Sequence, residues 1–123
     1  MKTKMNDGTT LVKKPWGTYL DVYRSKDVVF KKIIVNAGEE LSLQSHDLRD
    51  EFWFISSGVG VLTVGSQDLH VRTGENYFIG RKIKHKIKND GPKQLVIFET
   101  QVGVCDEGDI TRYTDKYGRT DES

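Results

Sequence analysis

Four residues with metal-binding side chains stand at spacings that suit a small β-barrel: Gln44, His46, Glu51 and, far downstream, His85. Imidazole nitrogens together with a carboxylate or amide oxygen are suitable ligands for Zn²⁺, Mn²⁺, Co²⁺, Ni²⁺ or non-haem Fe²⁺. The chain has three histidines, and two of them belong to this set. The sequence therefore predicts one divalent metal site, with zinc as the first expectation.

Strand geometry predicts how these side chains could meet. Side chains alternate across a strand, so the first two ligands point to the same face. Residues 47–50 are short enough for a tight hairpin that would return Glu51 to the side of these two ligands. Lysines alternate with apolar or ligand residues from 84 to 88. Because a lysine face is outward, His85 is expected to point inward.

The rest of the chain is typical of many short strands separated by Gly, Asn and Asp, a pattern that indicates a closed barrel or a sandwich. Strands are predicted at 17–24, 28–36, 41–46, 51–56, 60–64, 68–72, 77–79, 85–88 and 94–101. Residues 1–12 are expected to be a flexible N-terminus, 13–119 the folded domain and 120–123 a tail. The polar segment 109–119, with its spaced aromatic residues, is expected to form a short C-terminal helix or arm.

Composition narrows the class of protein. The 123 residues are 36% hydrophobic and 30% charged, which indicates a single soluble domain. The net charge of +1, and a basic run at 81–88 without an aromatic platform, argue against nucleic-acid binding. No apolar run approaches the ~20 residues of a membrane-spanning helix, and the start lacks the pattern of a signal peptide. The single Cys105 fits a reducing compartment, so a cytoplasmic location is expected.

The spacing of the four residues resembles the two-part motif of cupins, G-x5-H-x-H-x3-4-E-x6-G and G-x5-P-x-G-x2-H-x3-N. Gln44 stands where the first histidine is usual, and Gly80 and Lys82 replace the proline and glycine of the turn. The matching positions are Gly38, His46, Glu51, Gly58, Gly74, His85 and Asn89. The resemblance implies an all-β fold, a double-stranded β-helix or jelly-roll barrel, and a homodimer.

Three stretches carry a narrower resemblance, to the type II mannose-6-phosphate isomerase cupin. They are Lys14-Pro15-Trp16-Gly17-Thr18-Tyr19, Leu41-Ser42-Leu43-Gln44-Ser45-His46 with Arg49, Glu51 and Trp53, and Asp109-Ile110-Thr111-Arg112 with Asp115 and Tyr117-Gly118-Arg119. Members of this class use Gln, His, Glu and His as metal ligands. The resemblance implies a metal-dependent enzyme that interconverts mannose 6-phosphate and fructose 6-phosphate. The chain departs from the family at Asp47-Leu48 and at Phe52, where histidines are common.

A sugar-phosphate substrate needs cations beside the metal. The expected substrate-binding residues are Lys14, Arg49, Arg81 and Lys82. Arg112, which also matches a family position, is expected to assist catalysis. Isomerisation further needs a base that moves a proton between C1 and C2. Glu51, a lysine and a metal-bound water are the candidates for that base.

Two other functions fit the same residues. One is a non-catalytic cupin that binds a sugar or sugar nucleotide in polysaccharide biosynthesis, as the partner of a separate guanylyltransferase. The altered turn at Gly80–Lys82 favours it. The other is a different metal-dependent reaction, such as that of an epimerase or dioxygenase, because one barrel hosts many chemistries.

Overall fold

A computed structural model describes residues 1–118, and its regular structure over that range is entirely β. The strands are Lys2–Lys4 (β1), Thr10–Lys14 (β2), Gly17–Arg24 (β3), Val28–Val35 (β4), Leu43–Ser45 (β5), Arg49–Ser57 (β6), Val59–Val64 (β7), Gln67–Arg72 (β8), Asn76–Ile79 (β9), His85–Lys88 (β10), Leu95–Gly103 (β11) and Thr111–Thr114 (β12). Over residues 1–118 there is no helix that could cross a membrane. Arg119 and the expected tail 120–123 lie outside the described residues.

Two antiparallel sheets form the barrel. The seven-stranded sheet has the order β1-β2-β3-β4-β11-β6-β9, and the five-stranded sheet has the order β12-β5-β10-β7-β8. Strands that are neighbours in a sheet are often distant in the chain, as in a double-stranded β-helix. The all-β prediction is confirmed, and the expected C-terminal arm is a strand, β12, that pairs with β5.

The N-terminal segment corrects one expectation. Residues 1–12 were expected to be flexible, but β1 and most of β2 lie there and form a hairpin on the edge of the larger sheet. In β2, the side chain of Val12 is buried in the core. A two-stranded hairpin has little stability of its own. Its order therefore depends on pairing between β2 and β3, a contact that the local sequence does not reveal.

The connection after His46 corrects a second expectation. Residues 47–50 were predicted to close a hairpin, but β5 belongs to the five-stranded sheet and β6 to the seven-stranded sheet. The chain therefore crosses from one wall of the barrel to the other. The carboxylate of Asp109 secures the crossing, because its two oxygens accept hydrogen bonds from the amides of Asp47 and Leu48, both at 2.9 Å. His46 and Glu51 consequently approach each other from opposite walls.

The interior of the barrel changes from apolar to polar along its length. In β11, the inward residues Leu95 and Ile97 are followed by Glu99 and Gln101, all of them buried. The same change runs from Ile55 to Glu51 in β6, from Ile87 to His85 in β10 and from Ile33 to Lys31 in β4. The apolar end supplies the hydrophobic stabilisation of the fold. The polar end is left for a functional site.

The turn before β10 contains a strained residue. Lys82 has a φ of 65°, which lies in the left-handed region, and it stands where the cupin motif has glycine. A residue with a Cβ pays about 1–2 kcal/mol in this conformation. The Lys82 amide donates to the His46 carbonyl at 2.7 Å, so the turn is tied to the end of β5. The turn thus keeps a glycine-like conformation without the glycine.

We predict that Lys82→Gly stabilises the protein by about 0.5–1 kcal/mol, because relief of the left-handed strain exceeds the extra entropy that glycine loses on folding. Thermal unfolding followed by circular dichroism should show a melting temperature raised by about 2–4 °C. Lys84→Gly is the matched control, since Lys84 is exposed and has no positive φ. That variant should be destabilised, and a Lys82→Gly protein that also melts earlier would contradict the assignment of strain.

Candidate metal centre

Three of the four predicted metal ligands meet in the polar end of the barrel. One ligand atom from each of His46, Glu51 and His85 lies within 4.8 Å of the others, and all three residues are buried. β6 in one sheet carries Glu51 and β10 in the other carries His85. The two sheets therefore each contribute a ligand, and His46 completes the group from the segment that crosses between them.

The two imidazoles face the same carboxylate. His46 Nε2 lies 3.3 Å from Glu51 Oε2, and His85 Nε2 lies 3.5 Å from Glu51 Oε1. The centroids of the two imidazole rings are 5.3 Å apart. The Nε2 atoms and the carboxylate oxygens thus surround a common point.

Backbone carbonyls fix the orientation of both histidines. His46 Nδ1 lies 2.7 Å from the Asp109 carbonyl oxygen, and His85 Nδ1 lies 2.9 Å from the Ile83 carbonyl oxygen. A carbonyl oxygen can only accept, so each Nδ1 carries a proton. In a neutral imidazole this leaves the Nε2 lone pair directed at Glu51. A hydrogen bond from Nδ1 to a carbonyl is the arrangement that commonly orients metal-binding histidines.

The pKa values of the three groups are shifted by burial and by one another. Burial lowers the pKa of His46 to about 4, although Glu51 opposes this shift, so the ring is neutral at pH 7. Burial also acts to lower the pKa of His85, but the hydrogen bond and charge of Glu51 outweigh it and raise the pKa. Burial acts to raise the pKa of Glu51, and the hydrogen bond from His85 and the neighbouring charges lower it overall. The carboxylate is therefore ionised.

This donor set fits a divalent cation. Two imidazole nitrogens and one ionised carboxylate match the nitrogen and oxygen ligands that zinc and related ions accept. A neutral His46 presents a lone pair to an anionic oxygen at 3.3 Å. The guanidinium of Arg49 lies 3.0 Å from that oxygen and 3.4 Å from His46 Nε2, so it supplies positive charge beside both atoms.

Gln44, the fourth predicted ligand, lines the same cavity. In the five-stranded sheet it lies in register between His85 of β10 and Arg112 of β12. Its amide nitrogen donates to the Ser42 hydroxyl at 3.1 Å and to the Ser42 carbonyl at 3.3 Å. These bonds fix the orientation of the amide next to the histidine pair.

Glu51 is also bound by residues other than the histidines. The guanidinium of Arg49, which is buried, donates from Nε to Glu51 Oε2 at 3.0 Å, and its Nη2 lies 3.4 Å from His46 Nε2. The Trp53 indole donates to Glu51 Oε1 at 3.2 Å. Both carboxylate oxygens therefore have partners. Glu51 is positioned as a ligand or a charge partner and is poorly placed to serve as a free base.

A second buried carboxylate lies beside this group and was not predicted from the sequence. Glu99 Oε2 accepts a hydrogen bond from the Trp53 indole at 3.0 Å, and Glu99 Oε1 accepts one from the Gln101 amide at 2.8 Å. Burial, followed by the negative charge of Glu51, raises the pKa of Glu99 to about 7. Strand alternation could have found it, because Glu99 follows Leu95 and Ile97 at inward positions of β11.

The cavity around these groups has a volume of about 240 Å³ and is rich in cations. Of the predicted substrate-binding and catalytic cations, Lys14, Arg49 and Arg112 line it. Arg81 and Lys82 are exposed and do not line it, so their part in substrate binding stays a prediction. The Arg81 side chain instead lies 3.6 Å from the Asp50 carboxylate. Both residues belong to the exposed turn that precedes His85.

Two further lysines line the cavity without having been predicted. Lys2 reaches it from β1, in the segment that was expected to be flexible. Lys31 is buried, lies 3.2 Å from Glu107 and stands over the Tyr19 ring at 4.1 Å from its centroid. Lys31 occupies an inward position between Val29 and Ile33, so period-two alternation was the signal that could have found it.

Comparisons of this chain with known protein families and with related sequences indicate the same family. The family described as "Mannose-6-phosphate isomerase C-terminal" matches residues 2–115, which begins well before the domain boundary expected at residue 13. The xanthan biosynthesis protein XanB of Xanthomonas campestris pv. campestris is 36% identical over 110 residues, which are 89% of this chain and 24% of that protein. A mannose-1-phosphate guanylyltransferase of Salmonella montevideo is 34% identical over 109 residues, 88% of this chain and 23% of that protein.

Solved structures agree on the fold. An RmlC-like cupin from Shewanella frigidimarina superposes with a TM-score of 0.73 over 86% of this chain and 96% of that chain, at 13% identity. The chain spans about a quarter of the length of the curated relatives it matches. The family match over residues 2–115 agrees with the strand order and with the placement of the two histidines and the carboxylate. This chain therefore belongs to the mannose-6-phosphate isomerase C-terminal family and has its cupin fold.

Proposed function

We propose that this cupin domain is a metal-dependent sugar-phosphate isomerase that interconverts mannose 6-phosphate and fructose 6-phosphate. The observation that carries the proposal is the convergence of His46, Glu51 and His85 in one cavity with several cations. Membership of the family supports the substrate class. Lys14 and Arg112 line the same cavity and are suited to hold the substrate phosphate.

The metal would be held by His46, Glu51 and His85, with Gln44 beside them. A bound divalent ion would stabilise the negative charge that develops on the sugar oxygens. The indole of Trp53 donates to Glu51 and Glu99 together, so it holds both carboxylates in fixed positions. Because Glu51 belongs to the ligand group, whereas Glu99 lies outside it and burial raises the pKa of Glu99 to about 7, we assign the movement of the proton between C1 and C2 to Glu99.

The metal site is tested first without reference to activity. Protein loaded with Zn²⁺, Mn²⁺, Co²⁺, Ni²⁺ or Fe²⁺ and then dialysed should retain about one ion per chain by elemental analysis. His85→Ala and His46→Ala should lose stoichiometric metal, because each removes a nitrogen ligand. His70→Ala is the matched control, since His70 is exposed on β8. Unchanged metal content in His85→Ala would refute the ligand set.

Activity is tested on the metal-loaded chain in a coupled assay for both sugar phosphates. We expect interconversion by the wild type and by His70→Ala, and none by His85→Ala. A chain that holds its metal but gives no interconversion, while a known isomerase is active in the same assay, would refute the isomerase proposal.

The assignment of Glu99 is tested separately. Glu99→Gln keeps the shape of the side chain and removes its ability to carry a proton, so kcat should fall by about 10²–10⁴-fold with a small change in KM. Glu75→Gln, at a half-buried glutamate that does not line the cavity, is the control and should keep wild-type kinetics. A Glu99→Gln variant with unchanged kcat would exclude Glu99 as the proton carrier.

One observation favours a second candidate, a non-catalytic cupin that binds a sugar or sugar nucleotide in polysaccharide biosynthesis. Arg49 already neutralises Glu51 and approaches His46, so the site is partly balanced in charge without a metal. The names of the relatives, a xanthan biosynthesis protein and a mannose-1-phosphate guanylyltransferase, support this setting. A thermal-shift titration with mannose 6-phosphate and GDP-mannose separates the candidates, because a binding module is stabilised by its ligand without turnover.

A further inference from the structure

Lys31 is a buried cation to which the proposed reaction gives no role. It occupies an inward position of β4, is 5% exposed and lines the cavity. A charged side chain in such a place is strongly disfavoured unless other groups satisfy it. An ammonium group can donate three hydrogen bonds and accepts none. The groups around Lys31 therefore show how far the chain itself satisfies this charge.

The chain satisfies the Lys31 ammonium group only in part. Among residues 1–118, Glu107 is the one residue that accepts a hydrogen bond from Lys31 Nζ, at 3.2 Å. Asp21 Oδ1 lies farther away, at 4.0 Å. The ammonium group also stands over the Tyr19 ring, 4.1 Å from its centroid. At least one of the three donors is therefore left for a group in the cavity.

The carboxylates beside Lys31 in the sheet have closer partners of their own. Lys31 is in register with Glu99 of β11 and with Asp21 of β3. Asp21 forms its closer ion pair with Arg24, at 3.1 Å, and Glu99 accepts hydrogen bonds from an indole and an amide. The ammonium group pairs instead with Glu107, which comes from the loop between β11 and β12. Its partner is thus a loop residue and not a neighbour in the sheet.

The Glu107 side chain is placed where another anion can replace it. It is 46% exposed, it lines the cavity, and one of its oxygens is shared between Lys31 and Arg24. Burial acts to raise the pKa of Glu107, but the positive charges of Lys31 and Arg24 outweigh it and lower the pKa, so the group is ionised at neutral pH. A rotation that releases Lys31 can leave the contact with Arg24 in place.

The backbone around Glu107 is anchored on both sides. The Asp106 carbonyl accepts a hydrogen bond from the Arg49 guanidinium at 3.3 Å. The Asp109 carboxylate accepts hydrogen bonds from the two backbone amides of the crossing between the sheets. An exchange of partners at Lys31 therefore requires movement of the Glu107 side chain alone.

We propose that Lys31 binds the phosphate group of the substrate, and that Glu107 occupies this position until phosphate replaces it. Carboxylate and phosphate oxygens are both anionic acceptors for an ammonium group, so one can substitute for the other. The ligand is a sugar phosphate, so this assignment rests on the proposed function. Lys14 and Arg112 line the same cavity and would add positive charge around the bound phosphate.

The charges of the cavity favour this exchange. Apart from the histidines, the charged residues of its lining are Lys2, Lys14, Lys31, Arg49, Arg112, Glu51, Glu99 and Glu107. With its carboxylates ionised, the lining has two more positive than negative charges. A phosphate monoester carries about −1.5 to −2 charges at pH 7, against −1 for a carboxylate. The cavity therefore attracts phosphate more strongly than the carboxylate that it replaces.

Isothermal titration calorimetry of the full chain tests the exchange with inorganic phosphate, mannose 6-phosphate and mannose. Glu107→Gln should lower the dissociation constants of inorganic phosphate and mannose 6-phosphate by about 5-fold, because the competing side chain becomes neutral. The affinity for mannose, which has no phosphate group, should stay the same. An effect confined to mannose 6-phosphate would show that the site takes the sugar phosphate and not free phosphate.

Glu40→Gln is the matched control. Glu40 also forms an ion pair with a lysine, Lys86, at 3.0 Å, but neither residue lines the cavity. The substitution removes the same charge from the chain. Its dissociation constants should therefore stay close to those of the wild type, which separates local competition from the change in net charge.

Lys31→Met tests whether Lys31 is the cation that binds phosphate. The substitution should raise the dissociation constant of mannose 6-phosphate at least about 10-fold, because a hydrogen bond between two charged groups is lost. Glu107→Gln should have no further effect in this background, since the two residues act on the same ligand group. Thermal unfolding checks the fold of each variant, and Lys31→Gln is the milder substitution if the methionine variant unfolds.

A Glu107→Gln variant whose affinity for mannose 6-phosphate is unchanged or weaker would overturn the proposal, because the ion pair would then be purely structural. A gain in affinity that persists in the Lys31→Met background would also overturn it, since a different cation would then bind the phosphate. None of these measurements requires turnover. They can therefore succeed on a chain that does not isomerise sugars, and they can fail on one that does.

Discussion

The site depends on a buried, ionised carboxylate. Glu51 lies against two imidazoles and accepts hydrogen bonds from one guanidinium and one indole. Asp109 and Ile83 orient the imidazoles through their carbonyls. An isolated charge in such a place would be strongly disfavoured. Much of the polar half of the barrel is therefore arranged around the solvation of one side chain, and this arrangement is also what a divalent cation requires.

The apolar half of the barrel makes this arrangement possible. Ile55, Leu62, Ile87, Leu95 and Ile97 are fully buried and fill the space between the sheets at that end. The strands that carry Glu51, His85, Glu99 and Lys31 continue into this core, so these residues are fixed by neighbours in the same strand. The close approach of Gly17 to the opposite strand shows how tight the packing is, because a Cβ there would lie 2.1 Å from the Ile34 carbonyl oxygen. This explains the glycine of the Pro15-Trp16-Gly17 stretch.

The seven-stranded sheet has two faces with different roles. Along β6, Glu51 and Trp53 point into the cavity while Phe52 and Phe54 point to the outer surface. One strand thus carries a residue of the candidate metal centre on one face and two exposed aromatic side chains on the other.

The sequence by itself determined the all-β class, most strand positions and three residues that meet in the cavity, because period-two alternation and motif spacing are local and survive without coordinates. It placed Lys14, Arg49 and Arg112 in the right region through resemblance. It could not place Glu99 or Lys31 beside the ligands, nor exclude Arg81 and Lys82, since those positions depend on which strands become neighbours across the barrel. The crossing of the chain between β5 and β6 was likewise decided by the tertiary structure, through the distant carboxylate of Asp109. A short connection is compatible with a hairpin or a crossing, and only long-range hydrogen bonds select between them.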